Sequence, residues 1–213
     1  MKDKNPKLRS VVNKIGQIES EFRFYNLECV AGENNKYETI QIEDKVRFKV
    51  DVSKVYWCSK LSTERNRLIE KYLQDDQVLT DMMCGIGPLA VKSAVKNKNL
   101  KVVCNDLNPE GIRYAKENIE LNKVHRRVLP FNMDGREFIK FHVEQSQFVD
   151  EPEKLKIPKE FLRFGHVHMN LPVLAVEFLD AFVGLFGNFA NPKVWFSDPS
   201  DPKTLMLPMI HVY

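Results

Sequence analysis

Two glycines and three acids fall where a folded chain could hold a nucleoside. Gly85 and Gly87 stand in V-L-T-D-M-M-C-G-I-G-P, residues 78–88. The apolar run over 78–83, interrupted only by Asp81, has the pattern of a strand buried on both faces. The glycines let the backbone turn tightly and let a ligand approach it, and Pro88 suits a first helical turn. In a doubly wound α/β sheet such a turn, at the carboxyl end of the first strand, lies beside the switch in strand order where nucleotide-like ligands sit. G-x-G-P lacks the third glycine of the dinucleotide fingerprint, so alone it serves equally as a cofactor loop or as a turn with no ligand.

A second short strand, K-V-V-C at 101–104, runs into N-D-L-N-P. Asp106, about twenty residues past the glycine turn, is placed to accept hydrogen bonds from the two hydroxyls of a ribose. Asp106 or Asn108 could also cap the helix that starts near Pro109, and Asn108 is expected to do so in any case. At a third tip, F-N-M-D-G at 131–135, Asp134 suits an adenine amino group. Asp81, Asp106 and Asp134 together fit an adenosyl ligand that carries a cation and would repel a pyrophosphate. A fourth tip, Asn170-Leu171-Pro172, offers an amide and a rigid carbonyl to a planar substrate, although asparagine before a proline turn is also an ordinary strand terminator. His166 and His168 alternate on that strand and read as packed or edge histidines, since no third ligand has metal spacing; no metal is expected.

The elements that must position these residues follow from pattern. Residues 1–55 read as a small β-rich domain, with strands at 11–14, 27–31, 38–42 and 46–52 forming a meander and a turn at 32–35. Residues 56–213 read as an α/β domain, a Rossmann-like sheet with helices on both faces. A helix capped by Ser62 or Thr63 runs to about 73, and Glu64 and Arg65 in its first turn could be simple dipole and solubility charges. Beyond the glycine turn come helices at 110–122 and 136–144 around a strand at 128–132. A polar, proline-punctuated surface insertion follows at 145–163, then a strand at 166–169 and an amphipathic helix at 173–186. A loop at 188–202 leads to a last strand at 205–213.

With 213 residues, 43% of them apolar and 29% charged, the chain can bury a real core. A net charge of +3 permits an RNA partner without implying one. The four cysteines, at 29, 58, 84 and 104, show no C-x-x-C spacing, so neither a zinc site nor a disulfide framework is expected and a reducing compartment follows. No apolar run reaches membrane-spanning length and no signal-peptide core is visible, so a membrane role is not expected.

Taken in order, V-V-N-K (11–14), E-x-x-A-G-E (28–33), K-V-Y-W (54–57), L-S-T-E-R (61–65), D-M-x-C-G-I-G-P (81–88), N-D-L-N-P (105–109), F-N-M-D-G-R-E-F (131–138), M-N-L-P (169–172) and E-F-L-D-A-F (177–182) closely resemble the eukaryotic and archaeal tRNA (guanine-37-N1)-methyltransferases. The resemblance implies a class I methyltransferase sheet, S-adenosylmethionine as cofactor, and transfer of its methyl group to N1 of guanosine 37, 3′ to the tRNA anticodon. It implies that Arg65, Asp106, Leu107, Asp134, Gly135 and Asn170 hold the cofactor, beside Asp81, Gly85 and Gly87 of the first tip. It implies too that Arg23, Tyr56, Glu64, Asn170 and Pro172 hold and activate the base. Neutral guanine carries a proton on N1, so Glu64 is the candidate general base, Arg23 the donor to charge developing on O6, Asn170 and Pro172 the guides of the guanine edge, and Tyr56 a packing surface. The base must leave its stack to reach such a pocket.

The chain departs from the family where it carries Cys58, Ser59 and Lys60 in place of asparagine, proline and arginine; lysine keeps the charge and loses the planar fork. Cys84 stands for an alanine and reads as a small buried residue. Family members extend past both ends of this chain, so it is expected to be a fragment, and a monomer. Its compartment is expected to be the cytoplasm, the nucleus or the mitochondrial matrix. Two other functions stay open: transfer of the aminocarboxypropyl group of the same cofactor to a tRNA guanosine derivative, and cofactor or RNA binding without turnover.

Overall fold

The computed structural model describes residues 8–16, 26–33, 37–73 and 76–213. In chain order these form β1 (Ser10–Ile15), β2 (Asn26–Gly32), β3 (Glu38–Glu43), β4 (Val46–Asp51), α1 (Ser62–Lys71), β5 (Val78–Asp81), α2 (Pro88–Lys96), β6 (Lys101–Asn105), α3 (Pro109–Leu121), β7 (Val128–Phe131), α4 (Gly135–Glu144), β8 (His166–Met169), α5 (Leu185–Phe189), α6 (Pro192–Trp195) and β9 (Met209–Val212). None of these helices is long and apolar enough to cross a membrane.

Strands β5 to β9 make one parallel sheet in the order β7-β6-β5-β8-β9, a doubly wound arrangement whose switch point lies between β5 and β8. Its central strands β5 and β8 are buried at every position, as a parallel sheet covered on both faces requires. Leu68 and Ile69 of α1, Leu89, Ala90 and Val91 of α2, and Ile112 and Ile119 of α3 pack on one face. Phe138, Ile139 and Val143 of α4, with Leu185, Phe186 and Trp195, pack on the other.

The amino-terminal strands form two separate antiparallel hairpins, β1–β2 and β3–β4, rather than one meander. The reason lies on α3. Asn122 accepts from the Arg47 N–H (3.0 Å) and donates to the Arg47 carbonyl (2.7 Å), while Asn118, one turn earlier, does the same to Lys49 at 2.6 and 3.1 Å. Two side-chain amides thus occupy the outer edge of β4 where another strand would pair. The inward residues of that strand, Val46, Phe48 and Val50, join the core beneath α2 and α3.

Several elements differ from the sequence pattern. Helix α1 has no side-chain cap: it continues from a 3₁₀ turn at Ser59–Leu61, and the Ser62 hydroxyl instead accepts from Lys92 Nζ at 3.0 Å. The stretch 173–186 is a 3₁₀ segment, Ala175–Phe182, followed by the short α5, because Val173 and Gly184 both take left-handed φ, +76° and +69°, and interrupt any continuous helix. Residues 145–163 are not a surface insertion. Ile157, Phe161 and Leu162 are buried, and His142 is positioned to donate from Nε2 to the Phe161 carbonyl (2.9 Å) while its Nδ1 accepts from Thr80 (3.2 Å). Burial holds His142 down to about 4, so it is neutral in the core. The expected loop over 188–202 contains α6, whose Trp195 sits edge-on to Phe164 and Phe186 at 4.8 and 4.7 Å.

A buried ionic cluster ties the β3–β4 hairpin to the sheet domain. Glu43 at the hairpin turn is gripped by both arms of the Arg65 guanidinium from α1, and Lys92 Nζ of α2 lies 3.5 Å from it and 2.7 Å from Asp44. The Lys92 side chain is wholly inaccessible, so its charge is sustained only by these partners. Glu43→Gln leaves two buried cations without their shared anion and is expected to cost about 3–5 kcal/mol, read as a lower urea midpoint than the parent at unchanged slope.

Candidate active site

The carboxyl ends of β5, β6, β7 and β8 open into a cavity of about 380 Å³, a size suited to a nucleoside-like ligand. Asp81, Asp106, Asp134 and Asn170 all line it, one from each strand tip, together with Tyr56, Arg65, Gly85, Leu107, Gly135 and Pro172. Gly87 sits behind the wall at the start of α2, where φ +79° demands glycine, and its N–H closes the turn on the Cys84 carbonyl at 2.9 Å. Glu64 is not among the lining residues, and Arg23 lies outside the described residues.

The four tips differ in environment. Asp106 accepts from the Gly85 N–H at 2.6 Å and the Asn108 N–H at 2.9 Å, which locks the glycine turn onto the second tip. Burial nevertheless pushes its carboxyl up to about 6, against the pull of those two amides. Asn108 caps α3 as expected, accepting from the Glu110 N–H. Asp134 also caps a helix, accepting from the Arg136 and Glu137 N–H groups through Oδ1, so it holds the start of α4 while facing the cavity. Asp81 is buried and bonded through Oδ1 to His168 Nδ1 at 2.9 Å. His168 therefore lies in the cavity wall rather than in inert packing; its place beside Asn170 on the fourth strand was the available signal.

Arg65 reaches the cavity with its guanidinium occupied. It is held by Glu43, donates to the Cys58 carbonyl at 3.5 Å and lies 5.6 Å from the centre of the Trp57 ring. It thereby fixes the segment that carries Tyr56. Phe178 closes the opposite side: Arg136 spans its ring at 4.2 Å and pairs with Asp180, and a Cβ on Gly135 would come within 3.1 Å of the Phe178 ring. Gly135 is thus required by close packing. Trp57 and Phe178 belong to the motifs K-V-Y-W and E-F-L-D-A-F, but nothing in those motifs says that both flank the cavity.

Glu64 stands in the first turn of α1. Arg67 grips both its oxygens, Nε to Oε2 at 2.7 Å and Nη2 to Oε1 at 2.6 Å, and the same Nη2 donates to the Tyr213 hydroxyl at 2.9 Å. This fork lowers the Glu64 carboxyl to about 2. The group is ionised, and weakly basic while Arg67 holds it.

These features meet known proteins at one family. Residues 39–188 match the TRM5/TYW2 methyltransferase domain, and the chain belongs to that family. It is 40% identical over 241 residues to tRNA (guanine(37)-N(1))-methyltransferase of Candida albicans, covering 99% of this chain and 51% of that protein. It is 41% identical over 213 residues to that of Xenopus tropicalis, covering 99% and 39%. The chain thus spans about half the length, or less, of these curated relatives. Among solved structures it resembles aTrm5 in complex with tRNALeu, with a TM-score of 0.66 and 30% identity over 86% of this chain and 47% of that one. It also resembles M. jannaschii TYW2 in complex with AdoMet, with a TM-score of 0.54 and 25% identity over 73% and 60%.

Cys84 sits in the glycine turn, buried beside Cys104, and that contact together with burial raises its thiol well above the ordinary range. Cys29 and Cys58 are partly exposed. Iodoacetamide at pH 8 is expected to label Cys29 and Cys58 in the folded chain and all four cysteines in urea, counted by intact mass.

Proposed function

We propose that this chain binds S-adenosylmethionine in the cavity at the sheet tips and transfers the methyl group to N1 of guanosine 37 in tRNA. The observation that carries this reading is the 40% identity, over 99% of the chain, to enzymes named for that reaction. The cavity fits the cofactor on its own chemistry. Three carboxylates ring it, and Arg65, a cation in its wall, is already neutralised by Glu43; such a site favours a sulfonium and an ammonium over a pyrophosphate. Leu107, Ile86 and Phe178 supply apolar walls for a purine.

When bound, S-adenosylmethionine supplies an electrophilic methyl group. The remaining work falls to the chain. Asp106 accepts from the ribose hydroxyls, Asp134 faces the adenine amino group, and Asn170 with Pro172 orients the guanine edge in line with the methyl. Tyr56, held by the Arg65–Trp57 anchor, packs on the base. Glu64 draws the N1 proton once Arg67 releases it, and Arg23 donates to O6. The aminocarboxypropyl reading has less support, since likeness to the TYW2 structure is 25% against 30% for the Trm5 complex.

The test is calorimetric titration with S-adenosylmethionine, followed by mass analysis of tRNA bearing guanosine after the anticodon. A one-methyl gain supports the proposal, and an aminocarboxypropyl gain replaces it. Asp106→Ala is expected to weaken cofactor binding about tenfold or more, the scale of a lost hydrogen bond to a charged group; an unchanged dissociation constant removes its ribose role. Because a protonated Asp106 accepts less well, affinity in the parent is expected to fall as pH drops through about 6. Glu64→Gln is expected to leave cofactor affinity intact and slow methyl transfer about 10²-fold or more, measured in single turnover.

A further inference from the structure

Resting on the methyl-transfer reading, we propose that the Asp81–His168 pair is the destination of the proton that leaves guanine N1, and that His168 must be neutral for turnover. The geometry begins with the hydrogen bond. His168 Nδ1 lies 2.9 Å from Asp81 Oδ1, so this nitrogen carries the hydrogen and Nε2 is left with a lone pair. Both side chains are buried, and both residues line the cavity, His168 two residues before Asn170. A carboxylate oriented on one imidazole nitrogen stabilises the cation formed when the other takes a proton, the arrangement used by histidine bases generally.

The other groups around His168 connect it to Glu64. The Tyr213 ring, just beyond β9, lies 5.6 Å from the imidazole, and its hydroxyl meets both Arg67 and Glu64 of α1. Tyr213 thus stands between the two groups, and His211 of β9 pairs in register with His168. Glu64 alone is a poor terminal acceptor, because the Arg67 fork favours its ionised form. An imidazole backed by a carboxylate can keep what Glu64 only passes on. In the balanced step, the N1–H bond breaks as the N1–CH₃ bond forms, and the cofactor sulfur keeps the electron pair of its broken bond to that methyl. The proton moves through Glu64 to His168 Nε2, where Asp81 compensates the new charge.

The experiment is the pH dependence of single-turnover methyl transfer at saturating cofactor, with His168→Gln compared to the parent. The parent rate is expected to fall as the pH is lowered from 8 to 5. His168→Gln is expected to be slower by about 10²-fold at pH 8 and to lose that acid limb. An acid limb that survives in His168→Gln, or a parent rate flat from pH 8 to pH 5, overturns the proposal while leaving methyl transfer standing. A parent that transfers no methyl to tRNA overturns the underlying reading and this proposal with it. A second readout needs no turnover: the His168 ring is followed by NMR titration in the parent and in Glu64→Gln. The two titration curves are expected to differ, and superimposable curves overturn the link between the two groups.

Discussion

The buried carboxylate of Glu43 is the constraint on which the site's geometry rests. It comes from a hairpin outside the parallel sheet, yet it meets both Arg65 of α1 and Lys92 of α2, and Asp44 beside it adds a second link to Lys92 at 2.7 Å. A charge at such depth persists only with its partners in place, so the hairpin, α1 and α2 are held in one relative orientation. That orientation sets where Tyr56, Trp57 and Glu64 fall with respect to the strand tips. The amide pairs from Asn118 and Asn122 to β4 act in the same direction, joining the hairpin to α3 through main-chain atoms. The hairpin is therefore part of the active-site framework.

The strand tips were legible in the sequence because each is announced locally. A short apolar run ending in an acid, then glycine or asparagine-proline, states both the end of a strand and the start of a helix, and Asp81, Asp106, Asp134 and Asn170 all line the cavity on that evidence. What was not legible depends on distant partners. Gln145, Ser146, Ile157 and Phe161 sit in a stretch that reads as polar, and only the packing of 145–163 over α4 buries them. The apolar spacing of 173–186 does match a helix; the left-handed backbone at Val173 and Gly184 overrides it. The partner of Arg65 was hidden in the same way: the resemblance implies a place beside the cofactor and Arg65 does line the cavity, but nothing local announces the carboxylate 22 residues earlier that binds its guanidinium.

Carboxylates of one chemical type are given different basicities by their surroundings. Asp106 is raised to about 6 by burial although two backbone amides pull the other way, while Glu64 is lowered to about 2 by a guanidinium fork near the surface. A hydroxyl-accepting group gains from being charged and fixed, which the two amides secure for Asp106 at neutral pH. A proton acceptor needs basicity, which Arg67 withholds from Glu64. The contrast directs attention to whatever could disengage Arg67, and the groups touching it are Glu64, Tyr72 and the Tyr213 hydroxyl.

Tyr213 also packs on His168, so one aromatic side chain touches both the group that restrains Glu64 and the imidazole in the cavity wall. His168 in turn shares the cavity wall with Asn170 and Pro172. The Arg67 fork and the cavity wall are thus joined through one ring: Arg67 Nη2 donates to both Glu64 and the Tyr213 hydroxyl, and that ring lies 5.6 Å from His168. A shift of Tyr213 would be felt at both ends, taking an acceptor from Arg67 and a neighbour from the His168 ring.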